Sequence, residues 1–175
     1  MQKVTAIIFL SWLVTACATV PLEGLYTDID AASWEVGFQR DFGPGIGYIR
    51  EFVPTGESIN HWSKLLSIEF IEGETRSVTA YLDDFQQKRK QQCPGTLFTL
   101  LKEDEYATTY HFSFPDCGDH QQQTEISRMY LGNDGLHRLS YAEKGNHLSE
   151  STIQHWIKAF DQSYIVKGSA KIPIR

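Results

Sequence analysis

A four-residue turn, Gly132-Asn133-Asp134-Gly135, restricts the fold more than any other part of the sequence. It separates two stretches, 124–131 and 136–142, that contain apolar residues suited to strands. A turn of this composition between two such stretches is typical of a β-hairpin. We therefore predict adjacent antiparallel strands over 124–131 and 136–142.

Further strands are predicted from the alternation of apolar and polar residues. In the stretch 33–42, Trp34, Val36 and Phe38 alternate with polar residues or glycine. The turn Gly43-Pro44-Gly45 joins this strand to the next one, and the two form a predicted hairpin. The other predicted strands cover 46–53, 65–71, 96–101 and 106–114.

Apolar residues spaced three or four positions apart predict helices. A short helix is expected to begin at Ser58, with Trp62 on its apolar face. A longer helix is expected to begin at Thr75 or Ser77, because either side chain can cap it, and to end before Pro94.

The last predicted helix begins at Ser149 or Ser151 and has an apolar stripe that includes Trp156. Strands that follow one another as hairpins, rather than alternating with helices, indicate an antiparallel sheet. The predicted fold class is therefore α+β, with a mainly antiparallel sheet flanked by helices. A chain of 175 residues is long enough for one domain with a sizeable core, which we place at 33–166.

The beginning of the chain has the pattern of an export signal. Lys3 supplies a positive charge, an apolar run follows it, and small residues precede a cleavage site. The apolar run of about 13 residues is shorter than the roughly 20 that a spanning helix needs. The sequence Leu13-Val14-Thr15-Ala16-Cys17 resembles the lipobox of bacterial lipoproteins.

The lipobox resemblance implies that Cys17 becomes the mature N-terminus and carries a diacylglyceryl thioether. Two or more acyl chains anchor a protein stably, whereas one chain is marginal. A plain signal peptide with an incidental Cys17 is the alternative. Ala18 stands where an Asp would retain a lipoprotein at the inner membrane, so we expect the outer membrane, on its periplasmic face. The predicted divisions are a signal peptide over 1–16, a lipidated N-terminus and tether over 17–32, and a tail over 167–175.

Charge and cysteine content restrict the partners and the compartment. The formal net charge of −6 argues against nucleic acid and against electrostatic adhesion to anionic lipid. With Cys17 lipidated, Cys93 and Cys117 remain, and an even pair in the oxidising periplasm predicts a disulfide. Two separate buried thiols are the alternative. We expect membrane contact through the lipid, an envelope protein as partner, and no cofactor.

Two stretches contain residue types that can carry chemistry. Glu57 and His61 lie four positions apart beside Trp62, and these three residues form a candidate ligand groove or acid–base site. A solvated salt bridge between Glu57 and His61 is the alternative. The loop Asp116-Cys117-Gly118-Asp119-His120 contains metal-ligand types, but a disulfide would remove Cys117, and a turn is favoured. Neither a catalytic nor a metal-binding set of residues is predicted.

The mature part of the chain has two resemblances. The segment Gly56-Glu57-Ser58-Ile59-Asn60-His61-Trp62-Ser63, which runs into Leu66-Ser67-Ile68, resembles a short run in small exported bacterial proteins of unknown function. The element order over 33–166, with a tryptophan in the last helix, is similar to the PsbP/Mog1-type α/β/α sandwich. That resemblance implies three layers and transfers no functional residue.

These observations together lead to a ranked expectation of function. We expect a lipid-anchored, periplasm-facing protein that acts as a non-enzymatic binding or envelope-assembly module. One alternative is a hydrolase acting on cell-envelope material, with Glu57, His61 or the loop 116–120 involved. Another is a carrier of a small apolar ligand held between aromatic side chains.

Overall fold

The computed structural model describes residues 23–28, 30–167 and 170–172. This part of the chain is mixed α and β, with a mainly antiparallel sheet and two α-helices, which confirms the expected class at that level. The helices are α1 (Val78–Gln92) and α2 (Glu150–Gln162). The strands are β1 (Glu23–Tyr26), β2 (Trp34–Asp41), β3 (Gly47–Pro54), β4 (Lys64–Glu72), β5 (Leu97–Glu103), β6 (Ala107–Phe114), β7 (Gln123–Leu131), β8 (Gly135–Lys144), β9 (Tyr164–Lys167) and β10 (Ala170–Ile172).

Seven strands form the main sheet in the order β2-β3-β4-β8-β7-β6-β5, and every neighbouring pair is antiparallel. The seven strands predicted between residues 33 and 142 are all present, and the predicted turn at 132–135 connects β7 to β8. The pairing of β4 with β8 joins the two halves of the sheet, because α1 and three strands lie between them in the chain.

The two helices pack on opposite faces of this sheet. Successive side chains of a strand point to opposite faces, so neighbouring positions of β8 contribute to two different cores. Leu139 packs in a cluster with Phe160 of α2. Leu136 packs in a cluster with Leu82 of α1. We name the two sides of the sheet the α1 face and the α2 face.

Serine side chains begin both helices. The Oγ atom of Ser77 accepts a hydrogen bond from the amide of Ala80 at 3.2 Å. The Oγ atom of Ser149 accepts one from the amide of Thr152 at 3.1 Å. Each contact satisfies an amide that has no partner within the first turn, so the earlier of the two predicted serines begins α2.

A second, three-stranded sheet has the order β1-β9-β10 and joins the two ends of the described chain. Glu23 at the start of β1 is 1% exposed. Its carboxylate accepts hydrogen bonds from the amide of Asn133 at 3.1 Å and the amide of Asp134 at 3.0 Å. A Cβ atom at position 132 would collide with this carboxylate, which explains why glycine occupies the position.

This small sheet departs from the expected tether over 17–32 and tail over 167–175. Residues 23–26 and 170–172 pair with β9 in antiparallel register. The charged residue Glu23 did not indicate burial, because carboxylates are rarely buried without several hydrogen bonds. Cys17 and the predicted signal peptide lie outside the described residues.

The short helix predicted to begin at Ser58 is wrong. Residues 55–63 form turns, with an isolated antiparallel bridge between Ser58 and His61. The carboxylate of Glu57 accepts the amide of Ser63 at 2.6 Å and its hydroxyl at 2.7 Å. These two bonds close the loop without helical geometry, and β4 begins directly after it.

His137 is a buried imidazole that we expect to make stability depend on pH. Its Nε2 atom lies 3.6 Å from Glu23 Oε2, and its ring stacks on Phe70 at 4.5 Å between centroids. Burial lowers the pKa of His137 to about 4, while Glu23 and Asp134 act in the opposite direction. In the unfolded chain the imidazole has its ordinary pKa of 6.5.

Between pH 6.5 and pH 4 the unfolded state therefore binds a proton that the folded state does not bind. The free energy of unfolding should fall as pH decreases through this window, by up to about 1.4 kcal/mol per pH unit for one group. We expect His137→Phe to reduce this slope in urea titrations at pH 7, 5.5 and 4.5. His147→Gln, at an exposed site, is the control, and an unchanged slope in His137→Phe would contradict the prediction.

Candidate ligand-binding cleft

A cleft of about 590 Å³ lies on the α2 face, between α2 and the ends of β2, β4 and β8. The residues that line it come from distant parts of the chain, because the sheet order places β4 beside β8 and places β2 beyond β3 on that same side of β8. Its aromatic residues are Trp34, Tyr141 and Trp156, and its ionisable residues are Asp28, Asp30, Lys64, Glu143, His155 and Lys158.

Aromatic rings form the inner wall of this cleft. Tyr141 of β8 stacks on Trp156 of α2, with 4.3 Å between ring centroids. Trp34 of β2 meets Tyr141 edge to face at 6.3 Å. Tyr141 and Trp156 are buried and Trp34 is half-buried, so the wall is continuous with the core under α2. The wall offers an apolar surface whose position is fixed by core packing.

Two of the carboxylates in the cleft are held by neighbouring groups. The Tyr141 hydroxyl donates a short hydrogen bond to Glu143, two positions along the same strand. Burial, followed by this bond to Glu143, raises the pKa of Tyr141. Asp30 accepts the Ser33 hydroxyl at 2.7 Å and the Ala32 amide at 3.1 Å. These hydrogen bonds fix the orientation of the Glu143 and Asp30 carboxylates.

The basic groups of the cleft lack such partners. Lys64 lies directly opposite Glu143 in the register of β4 and β8. Cross-strand neighbours of opposite charge usually pair, but Glu143 is turned towards Tyr141. Within the described part of the chain, Lys64 and Lys158 form no ion pair, and the imidazole of His155 has only an edge contact with Trp156 at 5.4 Å.

The α1 face holds a separate buried charge cluster. Arg138 donates to Glu69 at 2.6 Å, to Glu125 at 2.5 Å and to the hydroxyl of Tyr110 at 3.1 Å. Glu51 lies nearby on β3, and burial, followed by the charge of Glu69, raises its pKa. The contacts of Arg138 are all within the protein, so we assign this cluster a structural role.

The groove residues suggested by the sequence lie outside this cleft. Glu57 is bound by Ser63, and the pKa of Glu57 is lowered mainly by that hydrogen bond, with a smaller effect of Lys64. His61 is exposed in the turn, and its bridge partner is Ser58 rather than Glu57. Trp62 has the Nζ atom of Lys144 over its ring at 3.8 Å. None of the three residues lines the cleft beside α2.

The predicted disulfide between Cys93 and Cys117 is present, with 5.5 Å between the Cα atoms. It connects the end of α1 to the loop between β6 and β7. In that loop Asp116 accepts the amide of Gln122 at 2.7 Å, and Cys117 forms a bridge with His120. These contacts are those of a turn. Among the residues that the structure describes, no group of three or more His, Cys, Asp and Glu side chains is arranged to hold a metal ion.

Sequence reasoning identified Trp34 and Trp156 as core aromatics but did not bring them together. They are separated by most of the chain, and the juxtaposition depends on β2, β4 and β8 lying in one sheet. Lys64, His155 and Lys158 carried no local signal, since charged residues at strand and helix surfaces are ordinary. The edge-to-face pair of Trp34 with Tyr141 joins two strands that β3 and β4 separate in the sheet, so no register between neighbouring strands indicates it.

The fold and the cleft define a mainly antiparallel domain with one helix on each face and a ligand-sized cleft beside its second helix. A protein-family model matches residues 29–173, and the chain belongs to that family. The search of curated proteins found no match. Neither helix in the described ranges is both long enough and apolar enough to cross a membrane.

Proposed function

We propose that this chain is a bacterial lipoprotein of the outer membrane, facing the periplasm, that acts as a non-enzymatic binding module. The observation that carries the binding role is the cleft of about 590 Å³ with aromatic side chains on its wall and ionisable groups at its rim. Ligand sites in proteins commonly have this size, and the aromatic wall gives a ligand an apolar surface to pack against.

The location rests on the lipobox-like sequence that ends at Cys17 and on Ala18 after it. A disulfide between Cys93 and Cys117 supports an oxidising compartment. We further propose that the domain is of the PsbP/Mog1 type, with the sheet as the middle layer of an α/β/α sandwich. The placement of α1 and α2 on opposite faces supports this proposal.

The hydrolase alternative receives less support from the geometry. Glu57 is held by Ser63, and Asp116 is held by the amide of Gln122. A catalytic acid or base must reach the proton that it transfers, and both carboxylates instead serve their own loops. The carrier alternative uses the same cleft as the binding proposal and differs only in the ligand.

Crosslinking in intact cells tests the binding role. A photoreactive phenylalanine analogue placed at Ser151 or Gln162 lies at the cleft, whereas the same residue at Lys88 lies on the exposed side of α1. We expect reproducible adducts, identified by mass spectrometry, from the two cleft positions only. Identical adduct patterns at Lys88, or no adduct at any position, would count against a binding role for the cleft.

Replacement of Cys17 tests the anchor. We expect Cys17→Ser to lose its acyl chains, because serine cannot form the thioether. Wild-type protein should gain the mass of its acyl chains, and the variant should not. Thr15→Ser keeps a small residue before the cleavage site and is the matched control. A Cys17→Ser protein that still gains this mass would refute lipid attachment at Cys17.

A further inference from the structure

The cleft has a wall and a rim of different chemistry. Its wall consists of Trp34, Tyr141 and Trp156, with Ala159 of α2 beside them. Burial of Tyr141 and Trp156 fixes the wall, and the half-buried ring of Trp34 contributes to the opening. A ligand that fills such a cleft must present an apolar body to the wall, because unpaired polar groups placed against it would lose their hydrogen bonds to water.

The charged groups at the rim of the cleft determine which head group such a ligand would carry. Glu143 is bound by the Tyr141 hydroxyl, and Asp30 by Ser33 and the amide of Ala32. Asp28 is the remaining carboxylate, and it lies in the segment before the 3₁₀ turn that precedes β2. These hydrogen bonds come from neutral groups, so Asp30 and Glu143 keep their negative charge while their orientation is fixed by the protein.

Lys64 and Lys158 reach the cleft from opposite walls, β4 and α2. His155 lies three positions before Lys158, on the same side of α2. Lys64 forms no ion pair with its cross-strand neighbour Glu143, whose carboxylate accepts the hydrogen bond of the Tyr141 hydroxyl. Among the described residues neither ammonium group forms an ion pair, and the one carboxylate whose pKa Lys64 is shown to lower is Glu57, which is held by Ser63. An anionic head group would therefore give both lysines a direct partner.

We infer that the cleft binds an amphiphile with an apolar chain or ring system and an anionic head group, either a carboxylate or a phosphate. The inference rests on the proposed binding function and specifies its ligand class. The apolar body lies against Trp34, Tyr141 and Trp156, and the head group pairs with Lys64 and Lys158. Fatty acids and lipid phosphates share this chemistry.

The test uses the full-length chain with Cys17→Ser in a background of Trp12→Phe and Trp62→Phe. Fluorescence then reports on Trp34 and Trp156, which both line the cleft. The probes are dodecanoate, dodecyl phosphate, dodecanol, dodecyltrimethylammonium and inorganic phosphate, each below its micelle-forming concentration. We expect dodecanoate or dodecyl phosphate to bind about tenfold more tightly than dodecanol, as two partly exposed charge pairs would provide.

Charge variants provide the matched comparison. Lys64→Gln with Lys158→Gln should abolish the preference for the anionic probes, while Lys88→Gln with Lys90→Gln removes the same charge from α1 and should retain it. A preference for dodecanoate over dodecyl phosphate, or the reverse, distinguishes fatty acids from lipid phosphates.

Three results would overturn the inference. They are equal binding of dodecanol, tighter binding of the ammonium probe, and binding of inorganic phosphate as tight as that of dodecyl phosphate. Each of these leaves the proposed binding function intact if crosslinking in cells still maps to the cleft. Absence of both probe binding and cleft adducts would refute the two together.

Discussion

Replacing Arg138 with methionine is expected to lower the free energy of unfolding by about 3–5 kcal/mol. The side chain is 7% exposed and donates to Glu69, Glu125 and the Tyr110 hydroxyl. Methionine has a similar length but no charge, so Glu125 would remain buried at 6% exposure without its cationic partner. Urea unfolding at pH 7, followed by circular dichroism, measures the loss.

A second substitution separates loss of charge from loss of packing. Glu125→Gln in the Arg138→Met protein removes the uncompensated carboxylate, so we expect it to restore part of the lost stability. Arg50→Met, at an exposed position of β3, controls for loss of an arginine and should change stability by less than about 0.5 kcal/mol. A loss below about 1 kcal/mol in Arg138→Met would show that the charge cluster does not stabilise the sheet.

Removal of the disulfide should have the second largest effect. Cys93 and Cys117 are separated by 24 positions. The chain-entropy treatment of a closed loop of this length gives about 3.5 kcal/mol of stabilisation. We therefore expect Cys93→Ala with Cys117→Ala to lower the free energy of unfolding by about that amount, measured in urea in the Cys17→Ser background.

Reduction provides an independent control for the disulfide prediction. The intact Cys17→Ser protein should unfold in the presence of a reductant at nearly the same urea concentration as the double alanine variant. Addition of the reductant should not change the variant itself. A double variant as stable as its oxidised parent would contradict a stabilising role for the bridge.

Local pattern was sufficient for the elements of the main sheet. The hairpin around Gly132-Asn133-Asp134-Gly135 and the caps at Ser77 and Ser149 depend on neighbouring residues, so sequence alone predicts them. The helix predicted to begin at Ser58 was wrong because the prediction used only the local spacing of apolar residues. That spacing suits a helix, but the Glu57 carboxylate binds Ser63 and closes a loop instead.

Long-range pairing accounts for what the sequence did not reveal. Glu23 binds the amides of Asn133 and Asp134, more than 100 positions away, and no local pattern indicates this contact. Arg138 meets Glu69 and Glu125 only because β4, β8 and β7 are adjacent in the sheet. The cleft has the same origin, since its wall requires Trp34 of β2 and Trp156 of α2 both to contact Tyr141 of β8.

The pairing of β1 with β9 also limits the distance that the domain could move from the proposed anchor at Cys17. Six residue steps separate Cys17 from Glu23, and a fully extended chain covers about 3.5 Å per step. Under the proposal that Cys17 carries the lipid, the folded body would rise only about 20 Å above the bilayer before Glu23 had to leave its hydrogen bonds with Asn133 and Asp134. A tether of this length would keep the domain at the membrane surface, where it would meet ligands that leave or enter the bilayer.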